Sequence, residues 1–166
     1  MILELQNLFQ NSGEQLPFDV SLDFSQVDWN GSRPFVSPVH AQGLFRNEAG
    51  VVSVEMRVQF HFCAPCDRCA SEVDRAYDFR FQHLLADHLN DEDNDDFLLV
   101  EDMRLDLEAF VREDIFLALP TKFLCREDCK GLCPQCGKNL NDGSCSCKKP
   151  IDPRLEVLRQ LLDKEE

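Results

Sequence analysis

The sequence has no long apolar run. Nowhere do its 166 residues approach the roughly 20 consecutive apolar residues that a helix needs to cross a bilayer. The first residues, MILELQNLFQ, have neither the basic stretch nor the apolar run of a secretory signal. We therefore expect a cytoplasmic protein without membrane association, in which a thiol stays reduced unless it binds a metal ion.

Basic side chains are scarce. The chain has 17 lysines and arginines against 31 aspartates and glutamates, a formal net charge of −14. Nucleic-acid phosphates repel such a chain unless its few basic residues share one face. The acidic balance is explained either by solubility alone or by a basic partner, such as a ribosomal protein or a positively charged enzyme surface.

The usual catalytic signatures are also missing. No serine, histidine and acid combination, no phosphate-binding loop and no dinucleotide fingerprint can be assembled. The acidic stretch 87–96 is typical of a solvated loop, and it lacks the glycine and the distal glutamate of a calcium-binding EF-hand. We expect no catalytic activity and no small-molecule substrate.

Alternating apolar residues predict an α+β fold with an antiparallel β-meander. The clearest period-two run extends from Val52 to Phe60 and is followed by another from Val73 to Phe81. An amphipathic helix is expected at about 106–119, with Asp106 as its N-cap and Pro120 at its end. We assign residues 1–120 to this α+β domain, in which the helix packs across the sheet.

Two further segments follow this domain. Residues 121–149, the cysteine module, have few apolar side chains and cannot bury a core of their own. Residues 150–166 predict a closing amphipathic helix, with Asp152 as N-cap and Pro153 at the first helical position.

Cysteines dominate the module and indicate a structural zinc site. The Cys-Pro-Gln-Cys-Gly step spaces two thiolates to bind one ion, and its glycine permits the turn that directs N–H groups at the sulfurs. The module has six cysteines: Cys125, Cys129, Cys133, Cys136, Cys145 and Cys147. We favour one Zn²⁺ ion bound by the last four, with Cys125 and Cys129 as substitutes or bystanders. The alternative is that all six bind two ions through shared sulfurs.

A second group of cysteines, FCAPCDRCA, lies upstream. Cys66 and Cys69 at a strand end or hairpin turn could join part of the module's cysteines, making one long-range site that fastens the module to the sheet. Alternatively, they form a redox-active dithiol, and the chain is a thiol redox sensor. Cys63 is interpreted as a buried strand residue, and His61 as a reserve ligand.

Four stretches resemble the DUF177 or YceD family, bacterial and plastid proteins linked to the accumulation of large-subunit (23S) ribosomal RNA. They are CDRC from Cys66 to Cys69, DLEAFVREDIFLALP, CREDCKGLCPQCGKNLN with CSC, and DPRLEVLRQL. The resemblance covers about residues 50–162. The chain departs from it at Ala70, where relatives often have leucine, and in its additional Cys63.

The resemblance implies a non-enzymatic role in ribosome biogenesis, with a ribosomal protein or a pre-50S assembly intermediate as partner. Direct contact with RNA is left open. Residues 122–149 carry six basic and three acidic side chains, so a zinc-ribbon RNA contact would start there.

Overall fold

The computed structural model describes residues 1–88 and 97–147. The strands follow one another along most of the chain, with few helices, in an α+β arrangement, as the sequence predicts. The strands are β1 (Ile2–Glu4), β2 (Gln15–Leu22), β3 (Val39–Glu48), β4 (Val51–Pro65), β5 (Glu72–Ala86), β6 (Phe97–Leu99) and β7 (Arg104–Asp106). The α-helices are α1 (Gln6–Gln10) and α2 (Leu107–Ala118), and a single 3₁₀ turn covers Glu101–Met103.

A five-stranded sheet with the order β2-β3-β4-β5-β6 forms the body of the protein. Its first four strands are a meander in which each pairs antiparallel with the next. β4 and β5 are 15 residues each and pair along their whole length, from Val52 opposite Leu85 to Pro65 opposite Glu72. The two strands form a long hairpin, and the turn that joins them follows Pro65 at the end of β4.

One face of the sheet carries the core. In β4 the side chains at every second position from Val52 to Ala64 are buried, as period-two apolar residues require. Gly43 allows β3 to pass closely between its neighbours, because a Cβ there would lie 2.5 Å from the carbonyl oxygen of Glu55 and 2.7 Å from the Phe18 ring. A larger residue could not fit without moving backbone.

The helix α2 packs on this core. Asp106 caps it by accepting a hydrogen bond from the Glu108 N–H at 3.2 Å. Leu107, Val111 and Ile115 are fully buried, at the spacing of one helical face. This face closes the core over the sheet.

A polar pair interrupts the apolar contact between α2 and β5. The carboxylate of Asp114 is buried and lies 2.9 Å from Nε2 of the half-buried His83. Burial raises the pKa of Asp114, and the neighbouring His83 partly offsets this effect. Asp114 therefore lies on the packed side of α2 and not on its exposed face.

The predicted α+β class is confirmed, and the helix expected at about 106–119 is α2. The sheet is not entirely antiparallel, because β6 pairs parallel to β5. The sequence does not predict β6, since its three residues are too few for a period to show. β1, which pairs with β7, and α1 are equally short and were not predicted.

After α2, the described residues contain no further helix or strand, although Leu132 and Asn139 form an isolated β-bridge. Most of the predicted acidic loop (residues 89–96) and the predicted closing helix lie outside the described residues. In the part of the chain that the structure covers, no helix is long and apolar enough to cross a membrane.

Candidate metal centres

Cys66 and Cys69 lie in the turn between β4 and β5. The Cys66 N–H donates to the Ser71 carbonyl at 2.8 Å, and the Ala70 N–H donates to the Cys66 carbonyl at 2.9 Å. Ala70 has a φ of 56°, in the left-handed region that such a tight turn uses. The long hairpin therefore holds both thiols at its tip.

The chain returns to this tip after α2 and adds two more thiols. The sulfur atoms of Cys66, Cys69, Cys125 and Cys129 all lie within 4.8 Å of one another, and we name this group the inner cluster. Two of its separations are 3.6 Å between Cys69 and Cys125 and 3.8 Å between Cys66 and Cys129. Three of the four residues are buried, with Cys66 3%, Cys69 5% and Cys129 2% exposed.

These separations fit a metal ion and do not fit disulfides. In a tetrahedral site with zinc–sulfur bonds of about 2.3 Å, neighbouring sulfurs are about 3.8 Å apart, whereas a disulfide needs about 2.05 Å. All nine cysteines are free thiols. The inner cluster therefore has the ligand number and spacing of a closed, four-coordinate site.

Backbone hydrogen bonds join the module to the hairpin turn beside the inner cluster. The Asp67 N–H donates to the Phe123 carbonyl at 2.9 Å, and the Phe123 N–H donates to Oδ2 of Asp67 at 2.7 Å. Arg68 donates through Nη1 to the Cys129 carbonyl at 2.8 Å and accepts from the Leu132 N–H at 3.1 Å. The middle residues of CDRC thus contact the segment that brings Cys125 and Cys129.

Gly131 is required where this segment crosses Arg68. Its φ is +74°, and a Cβ would lie 3.0 Å from the Arg68 carbonyl oxygen. On the other side, Arg75 donates to the Leu124 carbonyl at 2.9 Å, and its guanidinium lies 5.4 Å from the centroid of the Phe123 ring. The module is thereby held along both sides of the turn.

A second group of four sulfurs lies entirely within the module. It is the outer cluster, and its sulfurs also lie within 4.8 Å of one another: Cys133, Cys136, Cys145 and Cys147. The Gly137 N–H donates to the Cys133 carbonyl at 2.9 Å, and Gly137 has a φ of +71°. This is the turn that the Cys-Pro-Gln-Cys-Gly step predicts. Cys133 is buried and Cys136 is exposed, so this cluster is more open than the inner one.

Asn141 connects the two clusters. Its side-chain Nδ2 lies 3.3 Å from the sulfur of Cys129, to which it donates, and its Oδ1 accepts from the Lys130 N–H at 2.8 Å. Asn141 itself belongs to the loop between Cys136 and Cys145. A residue of the outer loop therefore directs a hydrogen bond at an inner sulfur, as groups around a metal site commonly do.

The thiols of the inner cluster differ in acidity. Burial opposes ionisation of Cys66, but N–H donors from Cys125, Arg68 and Cys69 outweigh it and lower the pKa to about 6. Burial and the neighbouring thiols raise the pKa of Cys125 to about 12. A thiolate formed first makes the next ionisation harder, and a divalent cation removes that repulsion.

The thiols of the outer cluster also differ in acidity. N–H donors from Cys136 and Gln135, with the Cys145 thiol, lower the pKa of Cys133 to about 6. The thiols of Cys136 and Cys133, together with burial, raise the pKa of Cys147 to about 12. Both clusters thus combine a thiol whose pKa is lowered with a thiol whose pKa is raised.

The structure brings together the four cysteines that the sequence analysis favoured for one site. It places Cys125 and Cys129 differently from that analysis, which made them substitutes or bystanders: they lie with Cys66 and Cys69. That grouping is the long-range alternative left open from the sequence, so the chain has two separate clusters of four thiols. Each could bind a metal ion, and no sulfur is shared between them.

The other two candidates lie outside both clusters. His61, the reserve ligand, is exposed, and its Nδ1 lies 3.1 Å from Oδ1 of Asp74. Cys63 is half-buried, and burial together with Glu72 raises the pKa of its thiol. The sequence analysis missed Arg68 and Asn141, although the CDRC and GKNLND stretches contain them.

Comparison with known proteins places these clusters in a family. The family model for the large ribosomal RNA subunit accumulation protein YceD matches residues 54–162. The match covers two thirds of the chain and includes every cysteine of both clusters. The chain belongs to this family. The family description ties it to the large ribosomal subunit, which supports a role in ribosome biogenesis.

Individual relatives agree with this assignment. The uncharacterized protein YlbN of Bacillus subtilis is 28% identical over 166 residues, covering 98% of this chain and 96% of its own length. An uncharacterized protein of Mycobacterium tuberculosis is 36% identical over 104 residues, covering 60% of this chain and 50% of its own length. The chain thus matches only about half of the mycobacterial relative.

A plant relative has a more informative name. The chloroplastic large ribosomal RNA subunit accumulation protein YCED homolog 1 of Zea mays is 42% identical over 48 residues, covering 28% of this chain and 16% of its own length. No solved structure matches the chain.

Proposed function

We propose that this protein is a cytoplasmic, non-enzymatic ribosome-biogenesis factor that supports the accumulation or processing of large-subunit (23S) rRNA. It acts by binding a basic ribosomal protein or a pre-50S assembly intermediate. The family match over residues 54–162 carries this proposal. The net charge of −14 supports a basic partner, because a strongly acidic surface attracts cationic proteins and repels bare phosphates.

We propose Zn²⁺ as the ion of both clusters. Thiolate-only ligation favours zinc or iron–sulfur chemistry over hard cations. Among these, zinc suits two separate sets of four sulfurs, because structural zinc sites are commonly bound by four cysteines.

Two zinc ions make direct RNA binding by the module less favourable. Each centre of four thiolates and one Zn²⁺ carries a formal charge of −2. Residues 122–149 have an excess of only three basic side chains. With both centres filled, the module and the hairpin turn together have no positive surplus with which to bind phosphates.

The thiol-sensor hypothesis receives less support from the geometry. Cys66 and Cys69 each have a module cysteine within 3.8 Å, so the pair is half of a larger cluster. Differential thiol labelling in cells tests it. A reversible Cys66–Cys69 disulfide would favour the sensor, whereas a pair that is always metal-bound would remove it.

Deletion of the gene with complementation tests the rRNA role. The deletion strain should show a lowered 23S rRNA pool and fewer large subunits in sucrose gradients, and the wild-type gene should restore both. Unchanged 23S rRNA and unchanged subunit profiles would contradict the proposal.

Affinity capture with and without ribonuclease then tests the binding mode. A basic ribosomal protein that stays bound after ribonuclease treatment is the expected result. Loss of every ribosomal component on ribonuclease treatment would show that the contact is made through RNA, and would overturn this part of the proposal.

A further inference from the structure

The contacts between the module and the sheet are concentrated at one place. The hydrogen bonds across this boundary run from residues 67–75 of the hairpin, which are its turn and the start of β5, to residues 123–132 of the module. Within the described residues, the hydrogen bonds of 133–147 are made inside the module, to partners no earlier than Cys129 and Lys130. Among the hydrogen bonds of the described residues, the outer cluster is therefore linked to the sheet through the segment that carries Cys125 and Cys129.

The inner cluster lies at this same boundary. Two of its ligands, Cys66 and Cys69, come from the hairpin turn, and the other two come from the module. Cys125 is 56 residues beyond Cys69, and Cys129 is 63 residues beyond Cys66. The outer cluster takes all its ligands from the module. An ion in the inner cluster would thus connect two parts of the fold, whereas an ion in the outer cluster would connect the module only to itself.

Apolar packing contributes little to this boundary. Phe123 joins the main core, where its ring lies 5.4 Å from that of Phe62. Around the inner cluster itself, the apolar neighbours are the partly buried Val73 and Leu124. The burial of one aromatic ring stabilises little in comparison with the backbone entropy lost when the module is ordered.

From this arrangement we infer that the two metal ions have different roles. The inner ion cross-links the β4–β5 hairpin to the module and is required for their attachment, whereas the outer ion orders the end of the module without attaching it. This inference rests on the proposed binding of zinc by both clusters. It makes the CDRC turn an attachment site for the module.

The order in which the two ions are released to a chelator should follow from the burial of their ligands. Three inner ligands are buried and the outer cluster includes the exposed Cys136, so a chelator reaches the outer ion first. The full-length zinc-loaded protein should release its zinc to a chromogenic chelator in two phases, the outer ion leaving before the inner one.

Matched double variants of the full chain test the inference. Cys66→Ser with Cys69→Ser removes the hairpin half of the inner cluster, and Cys145→Ser with Cys147→Ser removes half of the outer cluster. Cys63→Ser is the control for the loss of a thiol outside both. Zinc per chain should be two in the wild type and in the control, and one in each double variant.

Amide hydrogen exchange of the same proteins measures the attachment of the module to the hairpin. The N–H groups of Phe123 and Leu132 donate across the boundary, so their protection should fall by about tenfold or more in the inner variant and change by less than about twofold in the outer variant. Protection of Val54 and Val58 in β4 should be unchanged in both variants, which verifies that the sheet is folded.

The possible outcomes distinguish a failure of this inference from a failure of the proposed zinc binding or of the proposed ribosomal role. Two zinc ions in the wild type with equal protection of Phe123 in both double variants would overturn the cross-link and leave the zinc assignment intact. A metal-free wild type with a protected Phe123 amide would overturn both. The rRNA phenotype of the deletion strain is measured independently, and its absence would contradict the ribosomal role alone.

Discussion

The central strand β4 buries a side chain at every second position from Val52 to Ala64, whereas the described residues 123–147 have four buried positions. Those four are Phe123, Cys129, Gly131 and Cys133. The sheet is ordered by apolar area removed from water, and the module has almost none to remove. Structural zinc in small domains supplies about 10–16 kcal/mol of apparent binding free energy, enough to replace a missing core.

Because apolar burial stabilises the sheet and metal binding stabilises the module, a substitution that destabilises one region should leave the other folded. The largest expected effect is in the core, at Phe45. Its side chain is fully buried, with its ring 5.3 Å from that of Phe18. Phe45→Ala should lower the free energy of unfolding by about 3–5 kcal/mol because it leaves a cavity. Denaturant unfolding measures this loss, and the zinc content of the folded variant should stay at two ions per chain. A loss below about 1 kcal/mol would contradict a core centred on this face.

A glycine pair tests the boundary of the module. Gly131 and Gly137 both have positive φ, so alanine costs about 1–2 kcal/mol at either position. A Cβ at Gly131 also meets the Arg68 carbonyl oxygen at 3.0 Å, whereas at Gly137 nothing lies within 4 Å. Gly131→Ala should therefore expose the Leu132 amide to exchange, and Gly137→Ala should not. Equal exchange in the two variants would mean that the contact with Arg68 does not matter.

The smallest expected effect concerns Asp114 in the sheet domain. Because burial raises its folded-state pKa above the ordinary value of 3.8, folding favours the protonated carboxyl. The stability it contributes is complete below that ordinary value and is lost as the pH rises through the folded-state pKa. Asp114→Asn should remove this loss, so the variant should gain stability relative to the wild type as the pH rises from 3 to 6. Denaturant unfolding across this range measures it, and parallel pH profiles would contradict the argument. Zinc release, in contrast, should increase as the pH falls, since acid protonates the thiolates that bind the ion.

The sequence alone predicts the parts of the fold that have a period. The run from Val52 to Phe60 and the face of Leu107, Val111 and Ile115 repeat often enough to identify β4 and α2. β6 and β1 have three residues each, so no period can appear in them. Their positions are set by pairing with distant strands.

The two clusters also differ in how far the sequence predicts them. Four outer cysteines lie within 15 residues, and their spacing indicates a site without any knowledge of the fold. The inner cluster joins Cys66 and Cys69 to Cys125 and Cys129 across all of β5, β6, β7 and α2, so spacing gives only half of it. Which cysteines combine depends on the length of the hairpin and on where α2 ends.

The central claim is that a metal ion in each cluster replaces a hydrophobic core in the module. X-ray absorption at the zinc edge, with the zinc content of the purified full chain, tests it most directly. We expect two zinc ions per chain, each with four sulfur ligands at about 2.3 Å. One ion per chain, or nitrogen and oxygen atoms among the ligands, would contradict it.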